Sequence, residues 1–149
     1  MRAVIQRISR AQVRVEGQMI GQAGKGLLVF LGVGKQDTHK EADYLLEKIL
    51  NLRIFEDGEG KMNLSPLDVG GDLMVISQFT LYADCRKGRR PSFTDAGPPQ
   101  AAKAIYDYFI ARAESSGLRV SSGIFQAMME VELVNSGPVT ILLDSSKIF

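Results

Sequence analysis

The chain has 149 residues, a formal net charge of +1 and a single cysteine, Cys85. That length suits one domain able to bury a core without disulfides or metal, and the near-neutral balance leaves no argument for nucleic-acid binding from global charge. One cysteine allows no internal disulfide, the longest apolar stretches are far too short to span a bilayer, and Met1-Arg2-Ala3-Val4 lacks the layout of a signal peptide. A cytoplasmic chain with no membrane partner is expected.

Ala3–Ile8, Ala11–Val15 and Gln18–Ile20 are short and partly alternating, and Glu16-Gly17 separates the last two as a tight hairpin turn would. The chain therefore opens as antiparallel sheet. Gly26–Val33 is a continuous apolar run, short and β-branched enough for a central strand buried on both faces. Thr38 and Glu41 form a capping box ahead of Ala42, Leu45, Leu46, Ile49 and Leu52, which recur at helical spacing. Asp57-Gly58-Glu59-Gly60-Lys61 reads as a hairpin loop, since it lacks the twelve-position calcium pattern. Leu73–Leu81 is a further strand-like run.

A second helix follows Gly97-Pro98-Pro99, with Ala101, Ala104, Ile105, Tyr108 and Phe109 on one face and Gly117 as a left-handed stop. Two strands then close the chain, Met129–Val134 and Val139–Leu143, parted by Gly137-Pro138. Proline donates no ladder hydrogen bond, so in sheets it is confined to edges, strand starts and bulges. The pair is either a turn joining two strands or a fixed presentation of two carbonyl groups. The element order predicts an α+β fold in a single domain, residues 1–149, with a mostly antiparallel, barrel-like curled sheet and two main covering helices.

The usual catalytic side chains are scarce. His39 is the only histidine and falls in the capping box, where a solvated first-turn role suits it, and no Gly-x-Ser-x-Gly elbow occurs. Cys85 beside a basic run has no identifiable partner. One cysteine and one histidine cannot build a zinc site, and the glycines match neither the dinucleotide nor the Walker spacing, so no metal and no cofactor are expected. Two segments remain. Arg86-Lys87-Gly88-Arg89-Arg90 concentrates cations on an exposed loop, suited to phosphate or to local acidic partners. Ser77-Gln78-Phe79-Thr80 ends an apolar strand with polar groups, which suits either an exit into solvent or an oxyanion site.

Taken together, Ser77-Gln78-Phe79-Thr80-Leu81, Arg86–Phe93, Ser122-Gly123-Ile124-Phe125, Asn135–Thr140 and the opening Met1–Arg7 resemble the D-aminoacyl-tRNA deacylases over nearly the whole chain. The resemblance implies an enzyme that hydrolyses the ester joining a D-amino acid to the terminal adenosine of tRNA, and that also removes glycine mischarged on an alanine tRNA. It implies a homodimer with each active site at the subunit interface. It further implies a cis Gly137-Pro138 bond serving as a chiral gate, whose carbonyls meet the substrate's α-amino group and against which an L side chain would collide.

The resemblance also accounts for the missing nucleophile, because the ribose 2′-hydroxyl beside the ester takes a direct part in the reaction. The protein then supplies orientation and hydrogen-bond donors. Backbone N–H groups of Phe79 and Thr80 are expected as oxyanion donors, with Thr80 positioning rather than attacking, since its alcohol has no neighbouring base. Ser77, Gln78, Phe125 and Met129 are expected to bind substrate. Arg86, Lys87, Arg89 and Arg90 are expected on tRNA phosphate.

Three positions depart from the family pattern. Gln126 stands where glycine is common, Ser136 where aspartate is common, and Met128 where a polar residue often precedes the second methionine. Two rival readings are a related deacylase that edits L-alanyl-tRNA(Thr) and a non-catalytic tRNA-binding module.

Overall fold

The computed structural model describes residues 1–148. Eight strands and three helices follow in the order β1 (Arg2–Val15), β2 (Gln18–Ala23), β3 (Gly26–Gly32), α1 (His39–Leu50), β4 (Phe55–Glu56), β5 (Met62–Leu64), α2 (Pro66–Val69), β6 (Asp72–Ser77), α3 (Pro99–Glu114), β7 (Val120–Ser122) and β8 (Glu130–Asp144). A 3-10 turn, Phe79–Tyr82, follows β6.

β1 is the organising strand. Its first half pairs with β3 and its second half with β2, while β8 runs antiparallel along the opposite edge of both halves. The β1–β2 hairpin turns at Glu16 and Gly17, both at positive φ (50° and 76°), the two-residue turn whose twist matches that of the strands. β3–β6 and β6–β7 are parallel, so the sheet is mixed although its β1 pairings are all antiparallel. The sheet curls until the β2 glycine Gly21 lies against the Ser122 carbonyl of β7, giving the nearly closed, barrel-like α+β architecture expected.

Two cores result. Ala3, Ile5, Leu27, Val29, Leu31, Leu73 and Val75 face α1 and α3, which contribute Ala42, Leu45, Ile49, Ile105 and Phe109. Ile8, Ala11, Val13, Leu28, Met74 and Ile76 fill the inside of the curl. β3 is thus buried on both faces, which explains its unbroken apolar run. Thr38 caps α1 through the expected reciprocal bonds with Glu41. The Asp57–Lys61 segment closes the β4–β5 hairpin, with Asp57 Oδ1 accepting from the N–H groups of Glu59 and Lys61.

Several expectations need correction. The two opening strands are one, β1. The run expected over Leu73–Leu81 leaves the sheet after Ser77, because its last pair with β3 is Leu31↔Ser77 and the chain then coils into the 3-10 turn. α3 buries Ala102, Ile105, Tyr106, Phe109 and Ala113, so Ala101 and Ala104 face solvent and Tyr108 is only half buried. α3 also stops at Ser115, two residues before Gly117. Leu52 lies beyond the end of α1.

The two closing strands are likewise one. β8 continues across Gly137-Pro138 as a bulge: Thr140 pairs with Gln6 and Asn135 with Ile8, so Ser136–Val139 stand opposite Arg7 alone.

Candidate active site

Where β3 and β6 end, the sheet opens into a cleft of about 560 Å³ lined mostly by apolar atoms. Its floor is Leu31, Ile76 and Ser77; Gln78 and Phe79 form one rim, and Ala96, Gly97 and Pro99 another. Phe125 to Met129 close the far side, with Tyr106 and Val131 beneath them. The sequence-expected residues Ser77, Gln78, Phe79, Phe125 and Met129 therefore converge on one cavity. Their spacing in sequence is wide, and the parallel β3–β6–β7 order brings them together.

The 3-10 turn matters chemically. Its first N–H groups have no partner within the turn, and those of Phe79 and Thr80 take no backbone acceptor among the described residues. Gln78 Nε2 donates to Thr80 Oγ1, so the hydroxyl is engaged by an amide, and no carboxylate or imidazole bonds it among the described residues. Phe79 is 58% exposed and meets Phe93 edge-on at 5.0 Å, an unusual outlay of apolar surface at a cavity mouth. Thr80 sits just outside the cavity lining.

Sequence reasoning missed Tyr106. Its ring lies 5.7 Å from Phe125 and its hydroxyl donates to the Val75 carbonyl at 2.8 Å. Burial pushes that hydroxyl well above the ordinary tyrosine range, so it remains a donor at any physiological pH. The available signal was the i, i+3, i+4 pattern Ala102, Ile105, Tyr106, which competes with an equally amphipathic reading one residue away.

Gln126 has φ +65°, in the left-handed region that favours glycine. The departure from the family's glycine thus places a long polar side chain at a strained position on the cleft wall. Met128 is 89% exposed there, while Gly123 lets the Met129 sulfur pack against the backbone, where a Cβ would collide with it.

Gly137 and Pro138 do not line this cleft; they are exposed on the bulge of β8, and the peptide bond between them is cis. The Asn135 side chain, not that of Ser136, holds this turn. Asn135 Oδ1 accepts from the Val139 N–H at 2.7 Å, and Nδ2 donates to the Val139 carbonyl, Gln6 Oε1 and Thr140 Oγ1. Buried Arg7, a residue the sequence did not single out, donates Nε–H to the Ser136 carbonyl at 2.8 Å and Nη1–H to the Ile54 carbonyl at 2.6 Å.

In the basic loop, Arg86 forms a two-pronged pair with Asp84 at 2.7 and 2.9 Å. Among the described residues Lys87, Arg89 and Arg90 make no ion pair and are exposed. Cys85 is a free exposed thiol. His39 is exposed and stacks on Tyr108 at 3.9 Å, far from any nucleophile role. No cluster of three or more metal-binding side chains occurs among the described residues, and no helix there is long and apolar enough to cross a membrane.

Comparison with known proteins adds four results. The family described as D-Tyr-tRNA(Tyr) deacylase matches residues 4–144. A D-aminoacyl-tRNA deacylase of Koribacter versatilis is 61% identical over 149 residues, covering all of both chains. Among solved structures, one described as a c-Myc DNA unwinding element binding protein superposes with a TM-score of 0.92 at 40% identity, covering 97% of this chain and 98% of the other. A probable eukaryotic D-amino acid tRNA deacylase shares the fold, with a TM-score of 0.82 at 18% identity over 95% of this chain and 97% of its own.

The family match and the relatives place the chain in a class of hydrolases, the aminoacyl-tRNA deacylases. Within that class, the chain belongs to the D-Tyr-tRNA(Tyr) deacylase family.

Proposed function

We propose that the cleft receives the aminoacyl-adenosine end of a D-aminoacyl-tRNA and that water cleaves the ester there. The observation that carries this reading is the meeting of Ser77, Gln78, Phe79, Phe125 and Met129 around one apolar cavity, beside the N–H groups of Phe79 and Thr80, which take no backbone acceptor among the described residues. Water oxygen bonds to the acyl carbon, the bond to the ribose oxygen breaks, and a proton passes to that oxygen. The products are the free D-amino acid and intact tRNA. Negative charge gathers on the carbonyl oxygen in the transition state, and the two N–H groups hold it, an effect worth on the order of 3 kcal/mol per donor.

Nothing in the cleft activates Thr80, so it positions the substrate and the terminal 2′-hydroxyl assists the attack. Glycine, which has no side chain of either hand, passes the same filter when mischarged on an alanine tRNA.

The chiral gate is Gly137-Pro138, and it acts on a neighbouring copy. Within one chain the bulge and the cleft are separate, and β8, which carries the bulge, pairs only with β1 and leaves its outer edge free among the described residues. A homodimer brings the backbone carbonyls of Gly137 and Pro138 to the substrate's ammonium and the side of the cleft where an L side chain would project. Lys87, Arg89 and Arg90, and to a lesser degree Arg86, contact tRNA phosphate. Charged tRNA is a cytoplasmic molecule, and the protein works there.

A second reading, nucleic-acid binding without turnover, draws on the same basic loop. One assay separates the readings: acid-precipitable charge is followed over time for D-tyrosyl-, L-tyrosyl-, L-alanyl-tRNA(Thr) and glycyl-tRNA(Ala). Loss of the D-ester and of glycine, with both L-esters spared, is expected. Binding without loss of any ester would sink the enzymatic reading, and loss of the L-alanyl ester alone would assign the related editing activity. Ending the tRNA in 2′-deoxyadenosine is expected to slow cleavage by at least about 100-fold, whereas Thr80→Ala keeps activity within about tenfold of wild type.

A further inference from the structure

β3 ends at Gly32 and is followed by Val33-Gly34, a glycine spacing that matches no nucleotide motif and that the proposed reaction does not use. The structure gives both glycines a packing reason. A Cβ on Gly32 would lie 3.0 Å from the Gln78 carbonyl oxygen and 3.2 Å from Leu81 Cβ. One on Gly34 would lie 2.6, 2.7 and 2.8 Å from Oη, Cζ and Cε1 of Tyr82. The 3-10 turn carrying Phe79 and Thr80 is therefore laid directly on this backbone, and a side chain at Gly34 would have to displace the Tyr82 ring.

The same stretch fastens what it supports. Asp37 Oδ2 accepts from the Gly34 N–H at 2.6 Å and from the Tyr82 hydroxyl at 3.2 Å, while Oδ1 accepts from the Met1 ammonium at 2.6 Å. Arg2 stacks over the Tyr82 ring at 4.5 Å and donates to the Leu81 carbonyl at 2.9 Å, with Asp144 holding its other side. Tyr82 is thus gripped on its face, its edge and its hydroxyl.

The opposite rim of the cleft docks on the same residues. The Gly97 N–H donates to the Val33 carbonyl at 2.9 Å, and the Lys35 N–H to the Asp95 carbonyl at 3.1 Å. A Cβ on Gly97 would come within 3.1 Å of the Gly34 carbonyl oxygen. One short segment consequently fixes the Gln78–Phe79 rim and the Ala96–Pro99 rim relative to each other.

We propose that Gly32–Asp37 is the positioning clamp of the active site, with Gly34 and Tyr82 as its contact and Asp37 and Arg2 as its fasteners. These residues touch no reacting atom; they set where the N–H groups of Phe79 and Thr80 point. The inference rests on the oxyanion role proposed above for those two groups. Donor placement acts on the transition state, so disturbing the clamp lowers kcat more than it raises KM.

The test combines kinetics on D-tyrosyl-tRNA with backbone amide shifts of 15N-labelled protein. Gly34→Ala drives a methyl into the Tyr82 ring and is expected to lower kcat by about tenfold or more, with KM within about threefold, and to displace the Phe79 and Thr80 amide signals. Tyr82→Phe, which keeps the ring and the packing, is expected to give about a threefold fall and smaller displacements. Tyr108→Phe removes an equivalent tyrosine–aspartate bond on the helical face, to Asp43, and is expected to change neither. In Gly34→Ala/Tyr82→Ala the methyl has no ring to strike, so the double variant should be no slower than Tyr82→Ala alone.

Unchanged kcat in Gly34→Ala and Tyr82→Phe overturns the clamp, as does a loss seen only in KM or a loss with the Phe79 and Thr80 amides unmoved. Should Gly34→Ala not fold, Tyr82→Phe decides by the same criteria. Should wild-type protein fail to cleave D-tyrosyl-tRNA, the proposed function falls, and the amide shifts still decide whether this segment sets the turn.

Discussion

The cleft is concave, mostly apolar and assembled from four separated stretches of chain, whereas the Gly137–Pro138 bulge is convex, exposed and made of consecutive residues. The cleft takes its shape from strand order and from two cores packed behind it. The bulge takes its shape from two side chains, Asn135 and Arg7, which replace the ladder bonds that four looped-out residues cannot make. The contrast matters because a pocket formed by many elements tolerates loss of one contact, while a projection held by two side chains does not. It also matters that socket and projection do not meet within one chain, so the gate proposed above requires a second copy.

The sharpest way to break the comparison is at Gly137. Its φ of +142° is one that L side chains rarely adopt, and a Cβ there would lie 2.8 Å from Val139 Cγ2 and 3.0 Å from Arg7 Nη2. Gly137→Val is expected to cost about 1–3 kcal/mol in unfolding free energy. It should also lower D-tyrosyl-tRNA turnover by more than about 100-fold.

Mixing it with a cleft variant, Phe125→Ala, tests the dimer directly. After subunit exchange about a quarter of wild-type activity should return, because half of the dimers then combine one intact bulge with one intact cleft. No recovery, with exchange verified by mass spectrometry, would place bulge and cleft in the same chain's service.

Next in size is Asn135→Ala. It leaves the Val139 N–H without its acceptor and removes the amide from three further acceptors, an expected loss of about 1–3 kcal/mol read by chemical denaturation. Turnover should fall about tenfold while KM for the tRNA changes little, since the bulge orients rather than holds the RNA. Equal losses from Ser136→Ala would assign the turn to that side chain as well.

How much of this was legible in the sequence follows from the same contrast. The bulge was announced by Gly-Pro in a strand, a local anomaly with a local cause, although Asn135, a ready side-chain partner for backbone groups, was passed over. The cleft residues were found through motif resemblance, not periodicity. Where periodicity had to decide alone it went astray at α3: alanines at both 101 and 102 gave no preference between two faces, and Tyr106 and Tyr108 were interchangeable until packing chose. Phe79 and Leu81 prolonged the apolar run of β6 beyond Ser77, yet no strand remained beside them to pair with. Gly34 was legible as a glycine but not as the bed of Tyr82, which is a contact 48 residues away in sequence and invisible without the fold.

The smallest effects lie in the basic loop, where the comparison can be sharpened within five residues. Removing Arg89 and Arg90 together should reduce the slope of log affinity for tRNA against log salt by about two, because each free guanidinium releases about one counterion. Arg86→Ala should change that slope least, since its guanidinium is already neutralised by Asp84.

The Asp84–Arg86 pair makes this prediction pH-dependent in a defined direction. The Arg86 side chain, and then its backbone N–H, hold the Asp84 carboxyl well below the usual carboxylate range. A carboxylate depressed in this way keeps its partner above the unfolded-state value and releases it only as pH falls through the lower folded one. Across the neutral and mildly acid range Arg86 therefore stays occupied and Arg86→Ala remains nearly silent in salt titrations. Asp84→Asn frees the guanidinium at every pH, and in that background Arg86→Ala should lower the slope by about one. An Arg86→Ala effect of equal size in the wild-type background would show that phosphate competes the aspartate away, and the loop would then act with all four cations.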